Sequence, residues 1–325
     1  MTLMFIFLDL VRFLSRFRLK IILLLAAGVW GTVWVWPRST GWPRNSRLAV
    51  VFCAVGQGDA AVVSRGFTQV LIDAGPPSSK AADCLARRLP FFDHRLEAVI
   101  VSHPQADHFG GLPEVLQRYQ VDKFIFNGYA GDSRAWTELS RLIDREQSQI
   151  ITLAAGDKLK IGEVEIDVLW PEDKNYKNYK SHKPESETKV LGIASSRDLN
   201  QNALVLKLTY GNFSALFTGD IGEKEEKEIL GLGLEAGFPA SRPKPIFQST
   251  TILKVPHHGS KTSSSTGFLE AVHPALAVIE VGKNSYGHPA AEVLERLGAV
   301  GAKVLRTDRD GDVVISTDGR RWKVE

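Results

Sequence analysis

Cysteine is nearly missing from this chain, at 2 of 325 residues. So few exclude a disulfide framework and a cysteine-ligated structural zinc site. Cys53 falls in an apolar run and reads as a small buried hydrophobe rather than a ligand. Long apolar runs are scarce too; the uncharged stretch nearest membrane length is residues 21–36. A surplus of basic charge is missing from most of the chain. Residues 1–47 hold seven basic side chains (Arg12, Arg16, Arg18, Lys20, Arg38, Arg44, Arg47) against Asp9, a surplus of six. The whole chain carries +3, so residues 48–325 hold a net −3. That balance excludes a globally basic nucleic-acid footprint on the body. Only a local patch remains open, with Lys254, Lys261, Lys283, Arg306 and Arg309 as candidates. Internal repeats and long low-complexity tracts are also lacking.

What is there is an ordinary globular composition, 44% apolar and 24% charged. The length suits one large domain or two modest ones. At the front, Leu19 and a snorkelling Lys20 bring the run Ile21–Trp36 close to the roughly 17–20 residues that span a bilayer. Trp34 and Trp36 suit an interfacial belt, and Pro37 stops a helix. A cleaved signal peptide is the rival reading, but Trp-Val-Trp-Pro-Arg lacks the small residues of a cleavage site. The expectation is a basic segment with a single transmembrane anchor over 1–36, a linker over 37–47 and a body over 48–325. Four basic residues precede the run and three follow it. This favours a cytoplasmic N-terminus and a membrane-bound body outside the cytoplasm.

Within the body, short strands are expected at Leu48–Val55, Ala60–Ser64, Gln69–Asp73, Ala98–Ser102 and Lys123–Phe126. Helices at Ser78–Leu89, Pro113–Tyr119 and Trp136–Arg145 alternate with them. From Asp157 the pattern turns to paired strands: Lys158–Ile161, Val164–Trp170, Ala203–Tyr210 and Phe213–Thr218, the last two joined by a tight Gly211-Asn212 turn. Residues 172–200 are polar and aperiodic and read as a loop. A helix Glu223–Leu230, a Gly/Pro-rich loop, strand Thr251–Val255, helix Phe268–Ala271, strand Leu276–Val281, helix Ala290–Leu297 and three short strands complete the chain. Two mixed sheets facing each other, with helices outside, satisfy this order.

The chemistry concentrates at strand ends. Ser102-His103-Pro104-Gln105-Ala106-Asp107-His108-Phe109-Gly110-Gly111 follows the apolar run Leu96–Val101. Neutral imidazoles and a carboxylate are ligands for borderline divalent ions, and a strand end is a rigid mount. The two glycines let backbone approach closely. Thr218-Gly219-Asp220 and Val255-Pro256-His257-His258-Gly259-Ser260 end two further strands in the same manner. Ser260, Lys261, Thr262 and Ser263 offer hydroxyls, backbone N–H groups and one cation, which suits a phosphate. The alternative for this stretch is a serine-rich helix cap before Phe268. His288 lies on a loop where it can contact a leaving group or phosphate. Asp73 reads as an orienter of histidine, and Asp59 as a cap that orders its loop.

His103-Pro-Gln-Ala-Asp107-His108 resembles the H-x-H-x-D-H signature of metallo-β-lactamase-fold hydrolases. Val55-Gly-Gln-Gly-Asp-Ala60, Leu71-Ile-Asp-Ala-Gly75, Ser102–Leu112, Leu216-Phe-Thr-Gly-Asp220, Lys254–Ser264 and Asn284-Ser-Tyr-Gly-His-Pro289 occur in order. Together they resemble the C-terminal hydrolase domain of ComEC-type DNA-uptake proteins, across about residues 48–325. The resemblance implies a four-layer αββα sandwich with one or two divalent ions (manganese, zinc or magnesium) at one edge. His103 would help hold the first ion, and Asp107 and His108 the second. Asp220 would bridge, and His257 or His258 would close the second site, with His257 preferred because it leaves the strand directly. Asp107 would also orient the attacking water. The chain departs from the pattern at Gln105, a weak neutral ligand, and at Ala54, commonly aspartate. Gln201 or Asn202 would stand where a third histidine is usual. A weakened first site follows. The family's multi-span channel is missing as well, so a separate pore subunit would be needed. The expected activity is a metal-dependent phosphodiesterase or nuclease acting on DNA. The alternatives are a hydrolase of a lactam, thioester or small phosphodiester, and a non-catalytic DNA-binding or assembly module.

Overall fold

Each of two large sheets is antiparallel in one half and parallel in the other, and the parallel halves carry the chemistry. The structure is a computed structural model, and it describes residues 47–78, 80–172, 191–194, 198–231 and 250–325. The expected anchor and linker over 1–46 lie outside the described residues, as does most of the 172–200 loop. Among the described residues no helix is long and apolar enough to cross a membrane.

The first sheet begins with β1 (Leu48–Phe52), β2 (Ala61–Arg65), β3 (Thr68–Ile72), β4 (Ala98–Val101), β5 (Lys123–Phe126) and β6 (Gln149–Thr152). The second comprises β7 (Lys158–Ile161), β8 (Val164–Trp170), β9 (Val205–Tyr210), β10 (Phe213–Phe217), β11 (Ile252–Lys254), β12 (Leu276–Ile279) and β13 (Lys303–Arg306), in that spatial order. The chain then returns to the first sheet with β14 (Val313–Thr317) and β15 (Trp322–Val324), giving the order β15-β14-β1-β2-β3-β4-β5-β6. Parallel neighbours need crossovers, and helices supply them. These are α1 (Lys80–Arg88), α2 (Ala106–Phe109), α3 (Leu112–Arg118) and α4 (Arg134–Glu146) for the first sheet. The second has α5 (Glu223–Ile229), α6 (Thr266–Val272), α7 (Ala291–Ala299) and the single turn α8 (Thr307–Asp310).

The strands read as unbroken apolar runs because both faces are covered. Leu48, Val50 and Phe52 of β1 meet Leu206, Leu208, Phe217 and Val278 in a core between the sheets. The outer face of the second sheet packs Leu253 and Ala277 against Phe268 and Leu269 of α6 and Val293 and Leu297 of α7. On the outer face of the first, Phe124 and Phe126 stack against Trp136 of α4 at 6.4 and 6.0 Å. In β8, Val164, Ile166 and Val168 face the inter-sheet core, but a register shift between Val168 and Trp170 turns Trp170 to the other face. There its indole N–H donates to the Gln201 carbonyl at 2.7 Å.

Two sequence expectations change here. Cys53 is buried, but it is disulfide-bonded to Cys84 of α1, so the two cysteines form a single staple. The polar 172–200 stretch also carries structure where it is described. Ile193–Ala194 pair in parallel with Tyr129–Ala130, and Leu199–Asn202 form a 3-10 turn capped by Asp198.

Candidate metal centre

In parallel sheets, ligands gather beyond the carboxyl ends of the strands. Five such ends converge here: Asp73 after β3, His103 to His108 after β4, Asp220 after β10, His257-His258 after β11 and Glu280 after β12. Ligand atoms of Asp107, His108, Asp220 and His258 lie within 4.8 Å of one another. His108 Nε2 is 3.3 Å from Asp220 Oδ1. His258 Nε2 is 3.4 Å from Asp220 Oδ2 and 3.5 Å from Asp107 Oδ2. His108, His258 and Asp220 are buried, while Asp107 is about one-third exposed. The Nε2 atoms of both histidines and Asp220 Oδ1 are buried without a hydrogen-bond partner. Buried polar atoms are nearly always partnered. Convergent imidazole and carboxylate atoms left in this state fit a divalent cation.

The opposite ring nitrogens are fixed, which sets the direction of the open ones. His108 Nδ1 is 2.9 Å from Asp73 Oδ2, and Asp73 also accepts from the Ser102 amide and hydroxyl, each at 2.7 Å. His258 Nδ1 is 2.9 Å from the Glu280 carbonyl and 3.2 Å from Asp59 Oδ1. Asp59 also forms an ion pair with the buried Lys254, whose ammonium donates to the Gly219 carbonyl at 3.0 Å. Glu280 accepts the Ala60 amide at 2.8 Å through Oε1 and thereby holds the Asp59 turn.

Local backbone explains how these groups meet. Asp73, His257 and His258 have φ of 56°, 51° and 54°. The left-handed region is sparsely used by such residues and costs about 1–3 kcal/mol each. At Gly58, φ is +151° and a Cβ would come within 2.2 Å of the Asp107 carbonyl oxygen. Only glycine lets the Asp59 loop touch the Asp107 turn.

Charge follows burial and neighbours. Burial opposes protonation of His258, but Asp220 and Asp59 outweigh it and raise its pKa to about 10. His108 is likewise raised well above an ordinary histidine, against burial, by Asp220, Asp73 and Asp59. Burial alone would raise Asp220, yet His258 and His108 hold it well below the carboxylate range. Burial would also raise Asp107, but the adjacent His258 and His108 hold it low too. His103 goes the other way: burial, reinforced by His108, lowers it to about 3.

Of the residues singled out in the sequence, Asp107, His108, Asp220 and His258 come together. His257 does not join them as the preferred ligand. The successive left-handed residues turn His258 inward and leave His257 at the rim, 28% exposed and 3.9 Å from Asp220. His103 lies beside His108, rings 4.1 Å apart, with its Nε2 unpartnered. Gln105 donates its amide to Asn200 and lines the cavity beside Asp107. Asn200, Gln201 and Asn202 lie on the 3-10 turn that meets Gln105 through Asn200. Ser260 and Thr262 share a hydroxyl hydrogen bond at 2.9 Å. Ser263 is buried and donates to the Pro256 and Ser260 carbonyls, so it is not free for a phosphate. The cap of α6 is Ser265, and Glu226 holds the Ser264 and Ser265 amides. Lys254 leaves the surface-patch list because it is buried, and Arg306 is paired with Asp308. Lys261 and Lys283 remain exposed. His288 sits with its ring 5.7 Å from His257. Sequence reasoning passed over Lys254 and Glu280 as site residues, although Lys254 stands four residues before His258 inside a quoted motif.

The family model of the metallo-beta-lactamase superfamily matches residues 53–170. ComE operon protein 3 of Bacillus subtilis (strain 168) is 28% identical over 280 residues, covering 80% of this chain and 32% of that protein. Competence protein ComA of Neisseria gonorrhoeae is 29% identical over 272 residues, covering 83% of this chain and 32% of that protein. This chain resembles the metallo-β-lactamase part of ComEC-type competence proteins. It spans about a third of the length of these curated relatives. The crystal structure of the metallo-beta-lactamase fold protein YhfI from Bacillus subtilis superposes with a TM-score of 0.52 at 12% identity. The match covers 84% of this chain and 100% of that one, so the fold is shared. The family model ends within the second sheet, at Trp170. Asp220 and His258 lie beyond it and are delivered by the fold.

Proposed function

We propose that this chain is a metal-dependent hydrolase, and that its reaction is phosphodiester hydrolysis of DNA in competence-type uptake. The observation that carries the reading is the convergence of two open imidazole nitrogens and two carboxylates at one buried point. The relatives' printed names supply the competence context. Asp107, His108, Asp220 and His258 would hold one divalent ion. His103 stands beside them without a second charged ligand of its own, because Gln105 is committed to Asn200. One ion rather than two is therefore the favoured stoichiometry. A divalent cation there supplies Lewis acidity and a water acidified towards neutrality, from about 15.7 to about 7. Asp107 is the one cluster carboxylate that reaches the adjacent cavity of about 570 Å³, lined also by Gln105, Ser133, Asp132 and Asp198. Held ionised, it would orient the attacking water. Burial keeps His257 and His288 neutral, so each presents an N–H to a phosphate oxygen.

The Cys53–Cys84 disulfide supports placing the body in an oxidising compartment outside the cytoplasm, because such bonds persist there. Residues 1–36 are the proposed single-pass membrane anchor.

The test is metal analysis of the full chain after manganese loading, followed by digestion of a single-stranded oligonucleotide. The expected result is close to one ion per chain and manganese-dependent cleavage, with both lost in Asp220→Ala. Absence of metal uptake by the wild type would leave the DNA-binding module as the better reading. Metal uptake with hydrolysis of small esters, but none of DNA, would move the substrate to another class.

A further inference from the structure

The two flanks of the centre differ. The cavity flank presents Asp107, Asp132 and Asp198, with no lysine or arginine among its described lining residues. A polyanion is repelled there. Away from that cavity's lining, a series of aromatic rings leads from the surface to the cluster. Tyr286 is 75% exposed. Its ring lies 5.6 Å from that of His288, tilted by only 30°. His288 lies 5.7 Å from His257, His257 6.3 Å from His258, and His258 5.6 Å from His108. The loop that carries the outermost ring is tied by one side chain. Asn284 accepts the Tyr286 and His288 amides at 3.1 and 3.0 Å and donates to the Gly282 and His288 carbonyls, both at 2.9 Å. Lys283 and Lys261, both exposed, flank the ladder along the chain. An exposed aromatic residue normally forfeits apolar burial. One carried on a loop that the Asn284 side chain ties by four hydrogen bonds, one of them to the Tyr286 amide, and leading through successive ring contacts to a reaction centre, is built to receive a flat partner.

The geometry points to Tyr286 as a base-stacking platform. It receives a nucleobase of single-stranded DNA, and the ring ladder behind it sets the adjoining phosphodiester over the cluster. This rests on the phosphodiesterase reading above and adds a substrate requirement to it: an unpaired base next to the scissile phosphate. Tyr286 acts as a positioning residue, and no proton passes through it. Base–aromatic stacking is sequence-tolerant, and its removal weakens binding by about 5- to 100-fold per base.

The experiment uses the full chain and two fluorescein-labelled oligonucleotides of equal length, one of thymidylate and one abasic. Binding is read by anisotropy in calcium, and hydrolysis of the same pair in manganese. The wild type should bind the thymidylate strand about tenfold more tightly than the abasic one. Tyr286→Ala should bind the two alike, and Tyr286→Phe and Tyr286→Trp should keep the preference. Because the side chain is mostly in solvent, the alanine variant is expected to fold. A wild type with no preference, or an alanine variant that retains it, overturns the platform. Cleavage of DNA by that same wild type would leave the hydrolase reading standing. Conversely, a preference that depends on Tyr286, without cleavage of either strand, keeps the platform and removes the phosphodiesterase.

Discussion

Lys254 is the residue whose charge is hardest to place in a core, and its neighbours explain why it stays. Burial opposes its ionisation, but Asp59, Asp220 and Glu280 outweigh burial and raise its pKa above that of an ordinary lysine. It therefore balances carboxylates that would otherwise repel one another beside the cluster. Removing one partner of a buried pair leaves the other uncompensated, at a cost of about 3–5 kcal/mol. Lys254→Met should lose about that much in urea denaturation, whereas exposed Lys283→Met should change little. The raised histidines carry a second expectation. Without metal, the carboxylates around His258 hold its proton up to a pKa of about 10, and His108 is shifted in the same direction. A metal ligand must be the neutral imidazole, so binding expels these protons. The apparent affinity for manganese should rise with pH throughout the range below about 10 and weaken as pH falls. Calorimetry in buffers of differing ionisation enthalpy should detect the released protons. An affinity flat between pH 6 and pH 9 (a range of roughly three decades in proton activity) would mean that the two rings are not ligands.

At the scale of elements, the connection from β1 to β2 is tied down from several directions. Cys53 is bonded to Cys84 of α1, and the Ala54 amide donates to Asp312 Oδ1 at 3.0 Å. Arg87 and Arg88 of α1 close on Asp312 Oδ2 at 2.8 and 3.0 Å. Asp312, far along the chain, thus supplies the carboxylate that holds the Ala54 amide. Gly58 and Asp59 end this connection against the Asp107 turn. Breaking the disulfide releases a 31-residue separation, which chain-entropy arguments value at about 3.7 kcal/mol. Dithiothreitol, or Cys84→Ser, should lower the urea midpoint accordingly and loosen manganese binding through Asp59. Gly58→Ala should act more locally, because its Cβ meets the Asp107 carbonyl: metal affinity should fall with the disulfide intact. Much at this scale was legible from sequence. The strand ends bearing His103, Asp107, His108 and Asp220 follow apolar runs whose stop is marked by glycine. The choice between His257 and His258 was not legible, because a pair of left-handed residues reverses the facing that an extended strand would give. Nor was the disulfide, since two distant cysteines carry no signal of proximity.

The whole molecule is organised by a strand exchange that local pattern cannot reveal. Periodicity and turn residues marked most strands and the switch from crossovers to hairpins. They did not say that the last two strands return to the first sheet, β14 beside β1 and β15 outside β14. β14 pairs antiparallel with β1 from Leu48–Thr317 to Phe52–Val313, and Val313 and Ile315 enter the inter-sheet core. Such pairing joins residues more than 250 positions apart, so it is specified by complementary edges and burial rather than by neighbours in sequence. It also bears on the site. β1 leads directly into the Asp59 loop, and without β14 it becomes an apolar edge with unpaired amides, a template for aggregation. Ending the chain after Asp310 removes β14, β15 and Asp312 while leaving every cluster ligand in place. If the sheets were independent, that truncation would keep the second sheet with Asp220 and His258 and retain metal. Because the sheets share one core, the truncated chain should instead lose cooperative unfolding, bind hydrophobic dye and take up no manganese. Circular dichroism melts and metal analysis on the two chains decide the matter, and a soluble, metal-loaded truncation would show that β14 is dispensable to the centre.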